Sequence, residues 1–409
     1  MPVPGKSRSI FPAKLVKLPD TMAKVALPPL LKDLNERTVL ETIRAGAPIS
    51  RAEISRRAGI SKPTVSLALE SLVDMGLVRE AGSAPTGPTY GAVFFEPAPE
   101  AGLVVGLDLG ARFLRGALCD LNGDVRARQD VELDATDGDG VLDALARLHE
   151  QLVAASDLSR ELIDSVVTGL PGVVDAATGR ITLATNVPGL EGRPFRDEVA
   201  ERLGLPVTLE NDVNLAAVGE RWGGIARGVD DFVFISIGTG LGSGVVLRGE
   251  IHRGRNGAAG ELDYARAGDD SIDPCASALS ELAAGLTAEH SGQTALSPPY
   301  DARAVFEAAR RGDEVACAVV VEEARRIALH IAPVAAVVDI GLVILGGGIG
   351  ANADLLLDPI RRLLSDWLPY PPRVEVSSLG DAAVLTGALA LGRSGALENV
   401  LVNARRRRA

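Results

Sequence analysis

Two stretches, LVVGLDLGARFLRGALCDLNGDVRARQDVEL at Leu103–Leu133 and FVFISIGTGLGSGVVLRGEI at Phe232–Ile251, share one design and decide the fold of most of the chain. In each, an apolar run of buried-strand length enters a glycine-bearing loop, and a second strand leaves it. The first loop is Asp108-Leu-Gly110 and the second is Gly238-Thr239-Gly240-Leu-Gly242, while Asn122-Gly123 turns the first copy into a third strand. A strand–loop–strand unit that occurs twice, each time followed by helical sequence, reads as a duplicated α/β body of two lobes. A third cluster closes a strand in LVILGGGIG at 342–350, with Gly346 and Gly347 at its centre, after a helix through Val315–Ile331.

Glycine loops at strand ends let backbone N–H groups approach phosphate oxygens. One such loop alone is explained equally well by the needs of a tight hairpin. Three of them in a duplicated frame, with Asp108 at the first to meet a metal or phosphate, point to a nucleotide-type cleft between the lobes. Between the two hairpins, LPVTLE reads as a strand whose end delivers Asn211, Asp212 and Asn214 to the mouth of a helix. A carboxylate flanked by amides can accept a proton from a polyol hydroxyl and orient it. Helix capping, the simpler use of Asn and Asp, accounts for one of the three.

Upstream of this body, SRAEISRRAGISKPTVSLALESLVDMGLVRE at Ser50–Glu80 reads as a winged helix-turn-helix. Ser50 and Glu53 form a capping box, Gly59 suits the left-handed residue after a short helix, and Ser61 caps a second one. Val65, Leu69, Leu72 and Val73 give that second helix one apolar face. Lys62, Thr64 and Ser66 are left at its N-terminal, outward end, which a recognition helix inserts into a major groove. Arg51 and Arg57 are candidate phosphate contacts. The loop GSAPTGP from Gly82, between strands near Leu77–Ala81 and Tyr90–Phe95, reads as the wing. A three-helix module without DNA is the alternative; the short turn, the small polar or cationic side chains and the adjoining hairpin favour double-stranded DNA.

The chain has 409 residues, 46% hydrophobic but 3% aromatic, as expected for strands covered on both faces by Ala, Val and Leu. No apolar run approaches a membrane span and no hydrophobic signal region is present, so a cytoplasmic protein is expected. Net charge is −12, unevenly placed: residues 1–80 hold 13 basic and 8 acidic side chains, a net +5, leaving −17 on the remainder. The basic end is the DNA-binding end. Cys119, Cys275 and Cys317 are odd in number, far apart and without a CxxC pair, so reduced structural thiols are expected. The expected organisation is a disordered basic extension at 1–28, the head at 29–95, a stiff linker at 96–101, the body at 102–402 and a solvated basic tail at 403–409.

From about Val39 to Leu391 these motifs resemble the ROK family, sugar kinases and transcriptional repressors on a two-lobed, actin-like ATPase (ribonuclease H-like) fold. LENDVNLAAVGE resembles the family's catalytic segment, which implies the kinase base position for Asp212 and a sugar-hydroxyl contact for Asn211. TNVPGL implies Asn186 on the sugar side, GAAGE implies Glu261, and IGTGLGSGV and ILGGGIG imply phosphate- and adenosine-side loops. The head resembles that of the repressor members. Departures stand beside the likeness. The first phosphate loop runs Asp108-Leu-Gly110-Ala111-Arg112 where kinases have Asp-x-Gly-Gly-Thr. Glu261 is followed by Leu-Asp263-Tyr264 rather than Gly-His, and Cys275 is the sole thiol as far as Gly285, too few for a tetrahedral structural zinc site.

The reading is a non-catalytic, ligand-responsive DNA-binding regulator, a repressor of carbohydrate-related genes that works as a homodimer or homotetramer. It needs no metal and no cofactor, and its effector is sugar-like. The alternative is an active ATP-dependent sugar kinase with an appended DNA-binding head.

Overall fold

The computed structural model describes residues 27–82, 92–184, 186–266, 272–290 and 292–408. The N-terminal extension through residue 26, the wing loop at 83–91 and Tyr90 with it lie outside the described residues. The chain divides into two compact units: a head that ends at Ala98 and takes in the C-terminal residues from Ala404, and a body spanning Pro99–Asn403.

In the head, α1 (Leu27–Gly46) buries Val39, Leu40 and Ile43. It is followed by β1 (Ile49–Ser50), α2 (Arg51–Ala58), α3 (Lys62–Asp74), β2 (Val78–Glu80) and β3 (Phe94–Pro97). β3 lies between β1 and β2, antiparallel to both. The caps are as the residues dictate. Ser50 accepts from the Glu53 N–H, Ser61 from the Thr64 N–H, each at 3.4 Å, and Gly59 adopts φ +67°. Glu53 does not close the box with its side chain; its carboxylate takes Arg56 and Arg57 instead. Ile54, Val65, Leu69 and Leu72 are buried, but Val73 is 42% exposed and Ala68 takes its place, because the stripe through 65, 69 and 72 is centred one residue earlier.

The stretch 96–101, expected as a stiff linker, carries secondary structure. Glu96 and Pro97 complete β3, with Glu96 paired to Arg79 at 2.9 Å, and Pro99–Ala101 forms a 3-10 turn.

In the body, β4 (Leu103–Leu109), β5 (Phe113–Asp120) and β6 (Val125–Glu132) form a meander. Asp120 accepts the Asn122 and Asp124 N–H groups and fixes the turn at Gly123. Next come α4 (Gly138–Ser156), β7 (Ile163–Leu170), the small ribbon β8 (Val173–Val174) and β9 (Ile181–Thr182), α5 (Phe195–Leu203) and β10 (Val207–Asn211). After α6 (Asp212–Gly223), the pattern restarts with β11 (Phe232–Ile237), β12 (Leu241–Leu247) and β13 (Glu250–Ile251). There follow α7 (Ala276–Glu289), α8 (Ala302–Arg310), α9 (Glu314–Val338), β14 (Leu342–Gly346), α10 (Gly347–Gly350), α11 (Ala353–Trp367), β15 (Arg373–Val376) and α12 (Ala383–Arg406).

The duplication is explicit in the sheets. The first runs β6-β5-β4-β7-β10 and the second β13-β12-β11-β14-β15: in both, the third, second, first, fourth and fifth strands of the copy, with the last two parallel to the first. Each sheet has its own core, one around Leu107, Leu114, Val141 and Phe195, the other around Ile235, Leu279, Phe306 and Ile327.

Helices α6 and α12 meet backbone to backbone. A Cβ at Gly387 would lie 1.8 Å from the Leu215 carbonyl oxygen and one at Gly219 2.2 Å from that of Ala383. The buried Glu220 carboxylate anchors α6 further by accepting from the Ile225 N–H at 2.8 Å and the Ser377 hydroxyl at 2.5 Å. The C-terminal basic run is not simply a solvated tail either. Asn403–Arg406 complete α12, and within the head Arg405 reaches Asp33 at 2.8 Å and the buried Glu36 at 2.5 Å. A carboxylate with 1% exposure requires such a partner.

Candidate ligand cleft and DNA-binding face

The carboxyl ends of the body's strands surround a cavity of about 370 Å³. The four residues expected to meet a ligand arrive from three segments, Asn211 and Asp212 being consecutive. Asn186 comes from the loop after β9, Asn211 ends β10, Asp212 opens α6 and Glu261 precedes a 3-10 turn. From the opposite wall come Gly110 and the loop carrying Gly238, Thr239, Gly240 and Gly242.

Local chemistry positions each. Asn211 is the N-cap of α6: its Oδ1 accepts the Asn214 N–H at 3.0 Å and its amide donates to the Gly172 carbonyl at 3.0 Å. That capping leaves Asp212 free of the capping role; its Oδ1 accepts the Val213 N–H at 2.9 Å. Burial pushes the Asp212 carboxyl above its ordinary value. Glu261 is placed by Gly260 at φ +100°, whose carbonyl receives both the N–H and the hydroxyl of Ser243 at 2.8 and 2.9 Å. A Cβ there would be 1.9 Å from the Ser243 carbonyl oxygen, so only glycine fits. Burial, then the charges of Asp212 and Asp263, raise the Glu261 carboxyl.

Asp108 is 5% exposed at the end of β4 and does not line the cavity. Burial and the nearby Asp212 push it up to about 7, partly offset by Arg115, which donates to it at 3.3 Å. Arg112, the residue that departs from the kinase loop, is exposed and stacks over Phe113 at 5.7 Å. The cation beside the first loop's carboxylate is therefore Arg115, which β4–β5 register sets opposite Asp108.

Gly346 and Gly347 also stay out of the cavity wall. A Cβ at 346 would meet the Phe234 ring at 2.3 Å, and Gly347, at φ +77°, lies against the Ile237 carbonyl. Packing accounts for both. Leu183, Ser236, Asp263 and Tyr264 complete the wall, although no motif marked them.

Among the described residues, Asp263, Asp273 and Cys275 bring one donor atom each within 4.8 Å of one another. Two hard carboxylates and one soft thiolate fall one donor short of a tetrahedral structural zinc set. Asp273 also accepts the Cys275 N–H at 2.9 Å, at the start of α7.

On the head, Lys62 is exposed at the first position of α3, and Thr64 and Ser66 follow on its first turn and a half. Their hydroxyls are locally engaged, Thr64 with Ser61 and Ser66 with the Lys62 carbonyl. Arg51 and Lys62 line one hollow of about 320 Å³ with Ser50, Ala52 and Phe95. Arg57 is held differently, its Nε 2.5 Å from Glu53, and Arg56 and Arg57 together hold the Glu53 carboxyl down at about 2.

A winged helix-turn-helix followed by a duplicated body with a polar interlobe cleft defines a class of DNA-binding regulators built on a sugar-kinase-like scaffold. Residues 104–394 match the ROK family and residues 32–79 a winged helix-turn-helix DNA-binding family. The chain belongs to the ROK family, and with this head it is a DNA-binding, ligand-responsive transcriptional regulator. It is 27% identical over 384 residues to a putative xylose repressor of Caldicellulosiruptor sp. (strain Rt8B.4), covering 88% of this chain and 96% of that one. In fold it is similar to a ROK family transcriptional regulator, homolog of E. coli MLC protein, with TM-score 0.74, 24% identity and coverage of 91% and 99%. It is also similar to a ROK family glucokinase from Streptomyces griseus solved with glucose and AMPPNP, with TM-score 0.61, 30% identity and coverage of 72% and 100%. Repressors and kinases are both relatives. Among the described residues, no helix is long and apolar enough to cross a membrane.

Proposed function

We propose that the body senses a polyhydroxylated, sugar-like ligand through Asn186, Asn211, Asp212 and Glu261, that it does not transfer phosphate, and that the head represses carbohydrate-related genes through Lys62, Thr64 and Ser66. The observation that carries the reading is convergence. Four polar side chains from three separate segments line one cavity, where a sugar's fixed hydroxyls would find acceptors and donors together. Asn211 and Asp212 divide the labour, one capping the helix and the other left available. An inducer shifts the equilibrium between DNA-competent and incompetent states by no more than its difference in affinity for them.

The test has two stages. A thermal-shift screen of sugars, amino sugars and sugar phosphates finds the ligand, because whatever binds the folded state raises its melting temperature. Operator binding is then titrated with and without it for Asp212→Ala and Glu261→Ala. Both variants are expected to keep DNA affinity within about twofold of the parent while losing the ligand's effect. A parental response in both would place sensing elsewhere.

Two observations favour the kinase reading: Asp212 occupies the resemblance's base position, with a carboxyl raised by burial, and Gly238, Gly240 and Gly242 line the same cavity.

A further inference from the structure

Helix α6 carries Asn211 and Asp212 to the first cavity at its N-terminal end. Its C-terminal end lines a second cavity, of about 670 Å³, that the sensing reading does not use. This size lies within the range of small-molecule sites. Four arginines line it, Arg221, Arg227, Arg253 and Arg393. Two are held by carboxylates: Arg221 by Asp230 at 2.9 Å and Arg253 by Glu210 at 2.7 Å. Arg393 uses its Nε on the Leu121 carbonyl at 2.7 Å, leaving its terminal nitrogens, and Arg227 and Arg393 form no ion pair among the described residues. Glu250, the one carboxylate in the wall, forms none either.

Such a concentration of cations is unusual for a region of the chain that carries −17 by count from residue 81 onward. Clustered guanidiniums repel one another unless an anion lies between them, and their forked donors match the oxygens of a phosphate. The remainder of the wall suits an organic group: Ile251, Leu391 and Leu397 supply apolar surface beside the Trp222 indole. That ring packs against the β5–β6 turn, since a Cβ at Gly123 would come within 2.9 Å of its Cζ2. A fixed aromatic face next to free guanidiniums recognises a ring carrying a phosphate better than a free phosphate ion.

We propose that this second cavity binds an organic phosphomonoester, its phosphate on Arg227 and Arg393 and its ring against Trp222. Arg253 joins the two cavities. Its Nε donates to Glu210 Oε2 at 2.7 Å, while Glu210 Oε1 accepts the Asn211 N–H at 3.1 Å and the Asn214 amide at 2.9 Å. Glu210 is 6% exposed, so a phosphate that draws Arg253 away leaves its charge buried and loosens the support of Asn211. Occupancy of the second cavity therefore lowers the affinity of the first for its ligand, and by linkage the reverse. This coupling rests on the sensing role of the first cavity; binding at the second does not.

The chain's two tryptophans make the site directly readable. In a Trp367→Phe background, Trp222 fluorescence is titrated with glucose 6-phosphate, AMP, inorganic phosphate and glucose. At least one phosphomonoester is expected to change the emission with an affinity at least tenfold better than inorganic phosphate, while glucose gives no change from this site. A response to glucose 6-phosphate alone identifies a sugar phosphate, and one to AMP alone a nucleotide. Arg393→Gln and Arg227→Gln should each weaken binding about tenfold or more, whereas Glu261→Ala should leave it intact even if it abolishes sensing in the first cavity. Silence from both phosphomonoesters, or a response that survives both arginine substitutions, overturns the proposal. So does a response confined to an acidic peptide such as oligoglutamate, which would mark a protein contact instead.

Discussion

The two halves of the body share one strand order yet treat their first loops in opposite ways. In the second copy, the loop between β11 and β12 keeps glycines at 238, 240 and 242 and lines the cavity with backbone. In the first copy, the equivalent loop has one glycine at 110, an exposed arginine at 112, and a buried aspartate tied to Arg115 from the neighbouring strand. One copy puts glycine backbone in the cavity wall; the other holds a buried carboxyl against an arginine of the neighbouring strand at the corresponding strand end. The lesson is that duplication preserves topology while the chemistry of each copy diverges by a few side chains at the strand ends.

Phosphotransfer is the harshest test of that difference. With Asp108 buried out of the cavity wall and held against Arg115, product formation from ATP and hexoses should fall at least about a thousandfold below the ~1–100 s⁻¹ typical of kinases. Turnover in that range, abolished by Asp212→Asn, would break the comparison and restore the kinase reading.

The closed loop should also announce itself in the pH dependence of stability. Asp108 is raised from an ordinary 3.8 to about 7, by burial and by Asp212, so its ionised form is disfavoured in the folded protein. Its contribution is complete below the unfolded carboxylate's pKa and is lost as pH rises through about 7. That loss should be on the order of 4 kcal/mol. Asp108→Asn should flatten this part of the profile in thermal unfolding between pH 4 and pH 8; a parental slope would assign it to other groups.

In the open copy, the glycines divide into structural and available ones. Gly347 sits at φ +77° with the Ile237 carbonyl 2.3 Å from where a Cβ would lie, so Gly347→Ala should cost about 3 kcal/mol. Gly240 has no atom within 4 Å of a built Cβ, and Gly240→Ala should change stability by less than about 1 kcal/mol. Denaturant midpoints of the two variants separate these roles, and equal losses would mean that the cavity-lining glycine is structural too.

What was legible in the sequence was local or repetitive. Ser50, Ser61 and Gly59 act within a turn of where they stand, and the strand–loop–strand copies announce themselves by recurrence. The four cavity residues were legible through the motifs that carry them. What escaped was register and long-range pairing. Arg115 meets Asp108 only because β5 folds back in one particular register, and Arg253 finds Glu210 across 43 positions. The second cavity draws on α6, the β12–β13 hairpin and α12, none of which carries a motif for it. Gly346 and Gly347 invited a ligand reading because close backbone packing and phosphate cradles call for the same residue.

The smallest expected effect carries the same distinction, a cation already held against one left free, into the head. Arg57 resembles Arg115: its guanidinium is on a carboxylate, with Nε 2.5 Å from Glu53, and Arg56 shares that partner. Arg51 has no carboxylate partner among the described residues and lines the same hollow as Lys62. Neutralising a phosphate releases counterions, so removing one such cation lowers the slope of log affinity against log salt by roughly one. A guanidinium that must share itself with Glu53 neutralises phosphate less completely. Arg51→Ala should therefore reduce the slope by about one and Arg57→Ala by about half as much or less. Glu53→Gln, which frees both arginines of α2, should steepen the slope instead. Mobility shifts across a salt series decide it, and equal reductions from Arg51→Ala and Arg57→Ala would show that DNA displaces Glu53 and takes the guanidinium for itself.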